Sequence, residues 1–139
     1  VFQNPRASLN PKLPIRHAIL RALRKFAGLG RAESRERAQE LMEAVGLSPE
    51  YLDRLPTELS GGQQKLVALA RALMVGRSLL LLDEPFEGVA PVLAQRLVDV
   101  LVKLKEEGLS VLLSESDASH SSNLVDRLYI IERGKIELG

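Results

Sequence analysis

Ser78-Leu79-Leu80-Leu81-Leu82-Asp83-Glu84-Pro85 is the stretch on which the fold turns. Four leucines closing on two acids have the texture of a strand buried on both faces. Pro91 then opens a helix running to Glu107, with Leu93, Leu97, Val100, Leu101 and Leu104 facing inward and Gly108 as its cap. Ser110-Val111-Leu112-Leu113 reads as a second buried strand. Strand, helix and strand over residues 78–113 predict a parallel βαβ unit with a right-handed crossover, hence the α/β class.

Working outward, a short helix is expected near Asn123. A hairpin is expected where Arg127–Glu132 and Lys135–Leu138 flank Arg133-Gly134. On the other side the texture is helical. Gln3 to Pro14 carries three prolines and two asparagines and reads as a loop. Ile15, Ala18, Ile19, Ala22, Leu23 and Phe26 recur at the spacing of one helical face, which Gly28 and Gly30 end. Ala38, Leu41, Met42 and Val45 mark a second helix capped by Gly46, and Ser48-Pro49-Glu50 starts a short third with Ser48 as N-cap. The charge run from Arg31 to Glu40 is a solvated helix face, and His17 lies on a polar face of the first helix.

Composition excludes several function classes. The chain has 139 residues, 45% hydrophobic and 27% charged, which is ordinary globular usage. Nineteen Lys and Arg against 18 Asp and Glu leave a formal net charge of +1, no footprint for nonspecific nucleic-acid binding. No cysteine means no disulfide, thiolate metal site or cysteine nucleophile. The longest apolar run, Leu79 to Leu82, is far short of the roughly 20 residues of a membrane span. The chain opens on Val1, and its first residues read as the end of a strand. A preceding segment is therefore expected, with removal of an initiator methionine as the alternative.

Two stretches carry chemistry. In Leu59-Ser60-Gly61-Gly62-Gln63-Gln64, Ser60 and Gln63 stand at the spacing of a capping box. A helix N-terminus leaves about four amides unpaired and carries about half a positive charge. Two glycines there remove side-chain obstruction, so an anion can reach the amides. The bland reading is a plain helix start, with the Ser60 cap worth about 1 kcal/mol. The second stretch ends β-like in Asp83-Glu84, where α/β sheets bind ligands. Asp83 is placed to hold Mg²⁺ directly or through water, and Glu84 to polarise an attacking water. The bland reading there is a strand end leaving the core.

Together, and in this order, the two motifs resemble the nucleotide-binding subunits of ABC transporters, whose signature motif and Walker B segment they match. Val1-Phe2-Gln3-Asn4-Pro5 with Ser8-Leu9-Asn10-Pro11 looks like that family's Q-loop, especially in oligopeptide importers. Asp83 through Pro91 looks more like the branched-chain amino-acid importers, and Asp126-Arg127-Leu128-Tyr129 and Arg133-Gly134-Lys135-Ile136 match the last strands. The resemblance implies a partial P-loop NTPase core with a parallel sheet plus an α-helical subdomain. It divides the chain into residues 1–75, Q-loop and helical subdomain ending in the signature helix, and 76–139, the later part of the ATPase core.

The resemblance also assigns roles. Gln3 senses Mg²⁺ and the γ-phosphate of ATP; Ser60, Gly61, Gly62 and Gln63 close on ATP held by a second subunit in a head-to-tail dimer. Asp83 serves Mg²⁺ and Glu84 activates water. The implied partners are that second ATP-binding subunit and membrane permease subunits, with no direct nucleic acid. The implied location is cytoplasmic, peripheral to the inner face of the membrane.

Departures qualify it. No Gly-x-x-x-x-Gly-Lys-Ser/Thr phosphate loop occurs; the only Gly-Lys is Gly134-Lys135. These residues alone are expected not to bind ATP tightly. The family's switch histidine aligns with Ser116, with His120 four residues on as the other candidate. Ala90 stands where many relatives carry aspartate, and Leu66 where arginine is common. The rival readings are a truncated or degenerate relative acting only as an interaction module, and an ABC ATPase of DNA repair or translation. The latter usually interrupts or duplicates the domain, and neither feature appears.

Overall fold

The computed structural model describes residues 9–74, 78–117 and 119–139. Gln3 lies outside them. In chain order the elements are α1 (Ile15–Phe26), α2 (Arg31–Ala44), single 3₁₀ turns at Pro49–Asp53 and Pro56–Glu58, α3 (Gly61–Leu73), β1 (Leu79–Asp83), α4 (Pro91–Glu106), β2 (Ser110–Ser114), β3 (Tyr129–Glu132) and β4 (Lys135–Leu138). The α1 helix buries Ile15, Ile19 and Leu23, one residue per turn, against α2 and the first 3₁₀ turn. Gly46 ends α2 with φ +72°, its N–H bonding Glu43 O while Leu47 N–H reaches Met42 O. Glycine takes that left-handed backbone without the steric cost of a Cβ.

α3 is the hub. It touches α1, α2 and α4, and it buries Leu66, Val67, Leu69 and Ala70 in one core shared with Ile19, Met42 and Leu101. β1 and β2 pair in parallel, Leu79 opposite Ser110 through Asp83 opposite Ser114, with α4 as the crossover packed on β2. β3 and β4 form the expected hairpin, Tyr129 opposite Leu138 and Ile131 opposite Ile136. Its two turn residues, Arg133 and Gly134, both have positive φ, the backbone whose twist suits a two-residue hairpin loop.

Four expectations are corrected. Neither β1 nor β2 is buried on both faces: Leu79, Leu81 and Leu112 are exposed, because α4 packs on one side and no described element covers the other. Phe26 leaves the core at 63% exposure, since α1 stops there and Gly28, at φ +67°, turns the chain away. No helix forms near Asn123 among the described residues. Ser121 O instead accepts Leu124 N–H in a turn, and the Leu124 carbonyl is taken by Lys105 Nζ at 2.6 Å. Ser48 lends no side-chain cap to a 3₁₀ turn whose first residue, Pro49, has no N–H to satisfy.

This burial pattern sets a contrast. Leu101→Ala, at a fully buried site, is expected to lower the unfolding free energy by about 2–5 kcal/mol. Phe26→Ser is expected to change it by less than about 0.5 kcal/mol. Urea denaturation followed by circular dichroism separates the two.

Candidate functional site

The N-terminus of α3 is closed by a reciprocal cap. Ser60 Oγ accepts the Gln63 N–H at 3.2 Å, and Gln63 Oε1 accepts the Ser60 N–H at 2.9 Å. Gln63 Nε2 donates onward to the Tyr51 hydroxyl at 3.1 Å, tying the cap to the 3₁₀ turn. Gln64 points inward and donates to the carbonyls of Pro56 and Leu59, which makes it a structural residue. As acceptor in the cap, the Ser60 hydroxyl keeps its own proton to donate.

The two glycines divide their work. A Cβ on Gly61 would meet nothing within 4 Å, and the residue is exposed. A Cβ on Gly62 would lie 2.6 Å from Leu93 Cδ1 and 3.3 Å from Val89 Cγ1. The expectation that both glycines clear the way for an anion is therefore corrected for Gly62. Its lack of a side chain lets α3 press against the start of α4, whereas Gly61 alone leaves an open approach.

At the end of β1, Asp83 Oδ1 accepts from Ser114 Oγ at 2.5 Å and has no cationic partner among the described residues. Glu84 extends the ladder by donating its N–H to Ser114 O at 2.9 Å, and there the chain breaks direction with φ +47°. A left-handed backbone costs a residue with a Cβ about 1–2 kcal/mol, so the surroundings must hold it. They do so from α3. Lys65 Nζ donates to the Glu84 carbonyl at 2.8 Å and to that of Glu87. Phe86, buried at the centre of the turn, donates its N–H to Glu115 Oε1 at 3.0 Å.

Lys65 and Glu115 were not singled out by the sequence reading. Each carries a faint signal: a lone cation beside the buried run Leu66–Ala70, and an acid closing β2 as Glu84 closes β1. Partial burial pulls the Lys65 ammonium below its usual pKa, opposed by the charges of Glu87, Glu115 and Glu84. Burial pushes the Glu115 carboxyl up to about 7, with the hydrogen bond and charge of Glu84 adding to it and the Phe86 N–H and Lys65 opposing it.

Ser116 Oγ lies 3.4 Å from Glu84 Oε2, a long contact. His120 instead packs its ring on Phe86, centroids 5.6 Å apart. The geometry thus brings Asp83, Glu84 and Ser116 together. Ser60, Gly61, Gly62 and Gln63 form a separate constellation, joined to the first through Lys65. Asp83 offers one carboxylate without a cationic partner among the described residues, which hold no group of three or more metal-ligating side chains. That fits Mg²⁺, which keeps several waters and takes one or two carboxylates together with phosphate oxygens.

Residues 1–87 match the family described as ABC transporter. The chain belongs to the ABC transporter family. Within that family it is 38% identical over 141 residues to the probable D,D-dipeptide transport ATP-binding protein DdpF of Escherichia coli (strain K12), spanning 100% of this chain and 46% of that protein. It is 36% identical over 142 residues to the oligopeptide transport ATP-binding protein OppF of the same organism, spanning 100% and 42%. The chain thus spans less than half the length of these two curated relatives. The fold superposes with a TM-score of 0.82 at 27% identity on the ATP-binding cassette MJ0796, solved as a dimer in a post-hydrolysis state bound to ADP and Pi, over 99% of this chain and 61% of that one. The ADP conformation of the cassette MJ1267 gives 0.77 at 30% identity, over 97% and 57%. These neighbours establish a partial α/β ATPase cassette fold.

Two measurements test this geometry. Gly62→Ala should cost about 1–3 kcal/mol through overpacking against Leu93, whereas Gly61→Ala should be neutral or stabilise by up to about 1 kcal/mol through helix propensity. The pH dependence of unfolding tests Glu115. Its native carboxyl holds a proton up to about pH 7 that the unfolded chain releases near its ordinary value of 4.5. The native state binds more protons across that window, so this group lowers stability as pH rises from 4.5 to 7. Urea midpoints should show that fall in the parent chain and lose it in Glu115→Gln.

Proposed function

We propose that the protein acts as an ATP-binding subunit of an ABC importer, coupling ATP binding and hydrolysis in a head-to-tail dimer to solute transport. Its relatives' names point to peptides as the solute class. Under this reading residues 1–75 form the Q-loop and helical subdomain and residues 76–139 the later part of the ATPase core. The partners are a second ATP-binding subunit and membrane permease subunits at the cytoplasmic face. No described helix is long and apolar enough to cross a membrane.

The observation that carries the reading is the left-handed Glu84 at the end of β1, fixed from α3 by Lys65. Strain retained at a carboxylate is a mark of function, and it weighs against a decayed interaction module. Glu84 accepts the proton of the water that attacks the γ-phosphate, while Ser116 restrains its carboxylate. Asp83 would hold Mg²⁺, which would supply neutralising charge to the phosphates. Ser60 donates its hydroxyl and Gly61 its amide to the γ-phosphate of ATP held by the other subunit, where the helix dipole stabilises developing charge. Gln3 would couple that site to the helical subdomain.

The assembled transporter in proteoliposomes tests this reading. Glu84→Gln should slow ATP hydrolysis and solute uptake by about a hundred- to ten-thousand-fold while leaving assembly intact. Unchanged hydrolysis would remove Glu84 from the mechanism. The 139-residue chain by itself should show no micromolar ATP affinity by calorimetry.

A further inference from the structure

The carboxylate of Glu84 needs a restraint that Ser116 supplies only weakly. The Ser116 contact is 3.4 Å long, and the ion pairs of the described residues do not include Glu84. The residue before Ser116 is better placed. β2 alternates, with Val111 and Leu113 packed against the core and Ser110, Leu112 and Ser114 exposed. One step further, that period carries Glu115 to the covered side, where it is half-buried. The register brings it to Glu84. Asp83 stands opposite Ser114, and the Glu84 N–H extends the ladder to Ser114 O, so the next residue of β2 falls beside the acidic turn.

The Glu115 carboxyl makes two bonds there. Its Oε1 accepts the N–H of the buried Phe86 at 3.0 Å, which anchors it on the turn. It also hydrogen bonds the carboxyl of Glu84. Two carboxyls in such a bond need one proton between them, because two like charges in contact repel. Burial favours the neutral form at Glu115, and the Glu84 charge adds to that preference, against the Phe86 N–H and the Lys65 ammonium. Glu115 is then the donor and Glu84 the ionised acceptor, the form that can take a proton from water.

We propose that Glu115 is a positioning residue for Glu84: anchored on the Phe86 N–H, it aims the Glu84 carboxylate through a hydrogen bond between the two side chains. The role rests on the reading of Glu84 as acceptor of the water's proton, and Glu115 acts through Glu84 alone. A carboxylate held only by a long hydroxyl contact is free to swing, and a misplacement of about 1 Å can cost about a hundredfold in rate.

The assembled transporter in proteoliposomes tests it. Glu115→Ala removes both bonds and should lower kcat for ATP hydrolysis by about ten- to a hundredfold with KM for ATP unchanged, since placement in the transition state is lost and ground-state binding is not. Glu115→Gln can accept the Phe86 N–H through Oε1 and donate its amide to Glu84, so it should retain most of the rate. Glu115→Asp, one methylene short, should slow as Glu115→Ala does, and it takes the place of that variant if Glu115→Ala does not assemble. A residue that merely braced the turn would slow the residual single-turnover hydrolysis of Glu84→Gln as much as it slows the parent. A residue that acts through Glu84 leaves that residual rate unchanged. Undiminished kcat in Glu115→Ala, a Glu115→Gln as slow as Glu115→Ala, or a further loss on the Glu84→Gln background would each overturn the proposal. Hydrolysis undisturbed by Glu84→Gln would overturn the catalytic reading and this role with it. A slow Glu84→Gln beside an undiminished Glu115→Ala would overturn this role alone.

Discussion

A lysine ammonium on two backbone carbonyls holds this structure's chemistry in place. Lys65 reaches from the first turns of α3 to the carbonyls of Glu84 and Glu87, and the left-handed backbone at Glu84 sits inside that grip. Hydrogen bonds from a charged donor are worth roughly 1.5–3 kcal/mol, enough to offset the cost of placing a residue with a Cβ at positive φ. Gly62 makes the approach possible from the other side, because Leu93 and Val89 occupy the space a side chain would need. An ion–dipole contact at Lys65 and a packing contact at Gly62, three residues apart on α3, therefore tie that helix to the acidic turn and the start of α4.

Parts of this were legible in the amino-acid order because they depend on local rules. Ser60 and Gln63 at capping-box spacing produced a capping box, and Arg133-Gly134 between alternating residues produced the hairpin turn. The parallel pairing of β1 with β2 followed from two apolar runs joined by one amphipathic helix. Other features are set by what lies across space. Four leucines cannot tell whether both of their faces will be covered, and here one is left open. Nothing in the spacing of Gly61 and Gly62 says that α4 presses on the second and leaves the first free. Lys65 and Glu115 escaped for the same reason: their partners lie 19 and 29 residues away and are mostly main-chain atoms, which carry no sequence signal. The sequence left Ser116 and His120 open as alternatives, and only the turn shows Ser116 facing Glu84 and His120 facing Phe86.

The β3–β4 hairpin carries a thermodynamic consequence of its register. Tyr129 opposite Leu138 and Ile131 opposite Ile136 put four apolar side chains on one face, and all four are exposed. Glu137, Glu132 and Lys135 lie on the other face with Ile130, so the hairpin is amphipathic. Burying an apolar face of this kind lowers heat capacity, and near room temperature its driving force is almost wholly entropic. Any association through it would therefore loosen on cooling and tighten on warming. The electrostatic grip at Glu84 follows a different law, so temperature can separate the adhesive end of this chain from its chemical one.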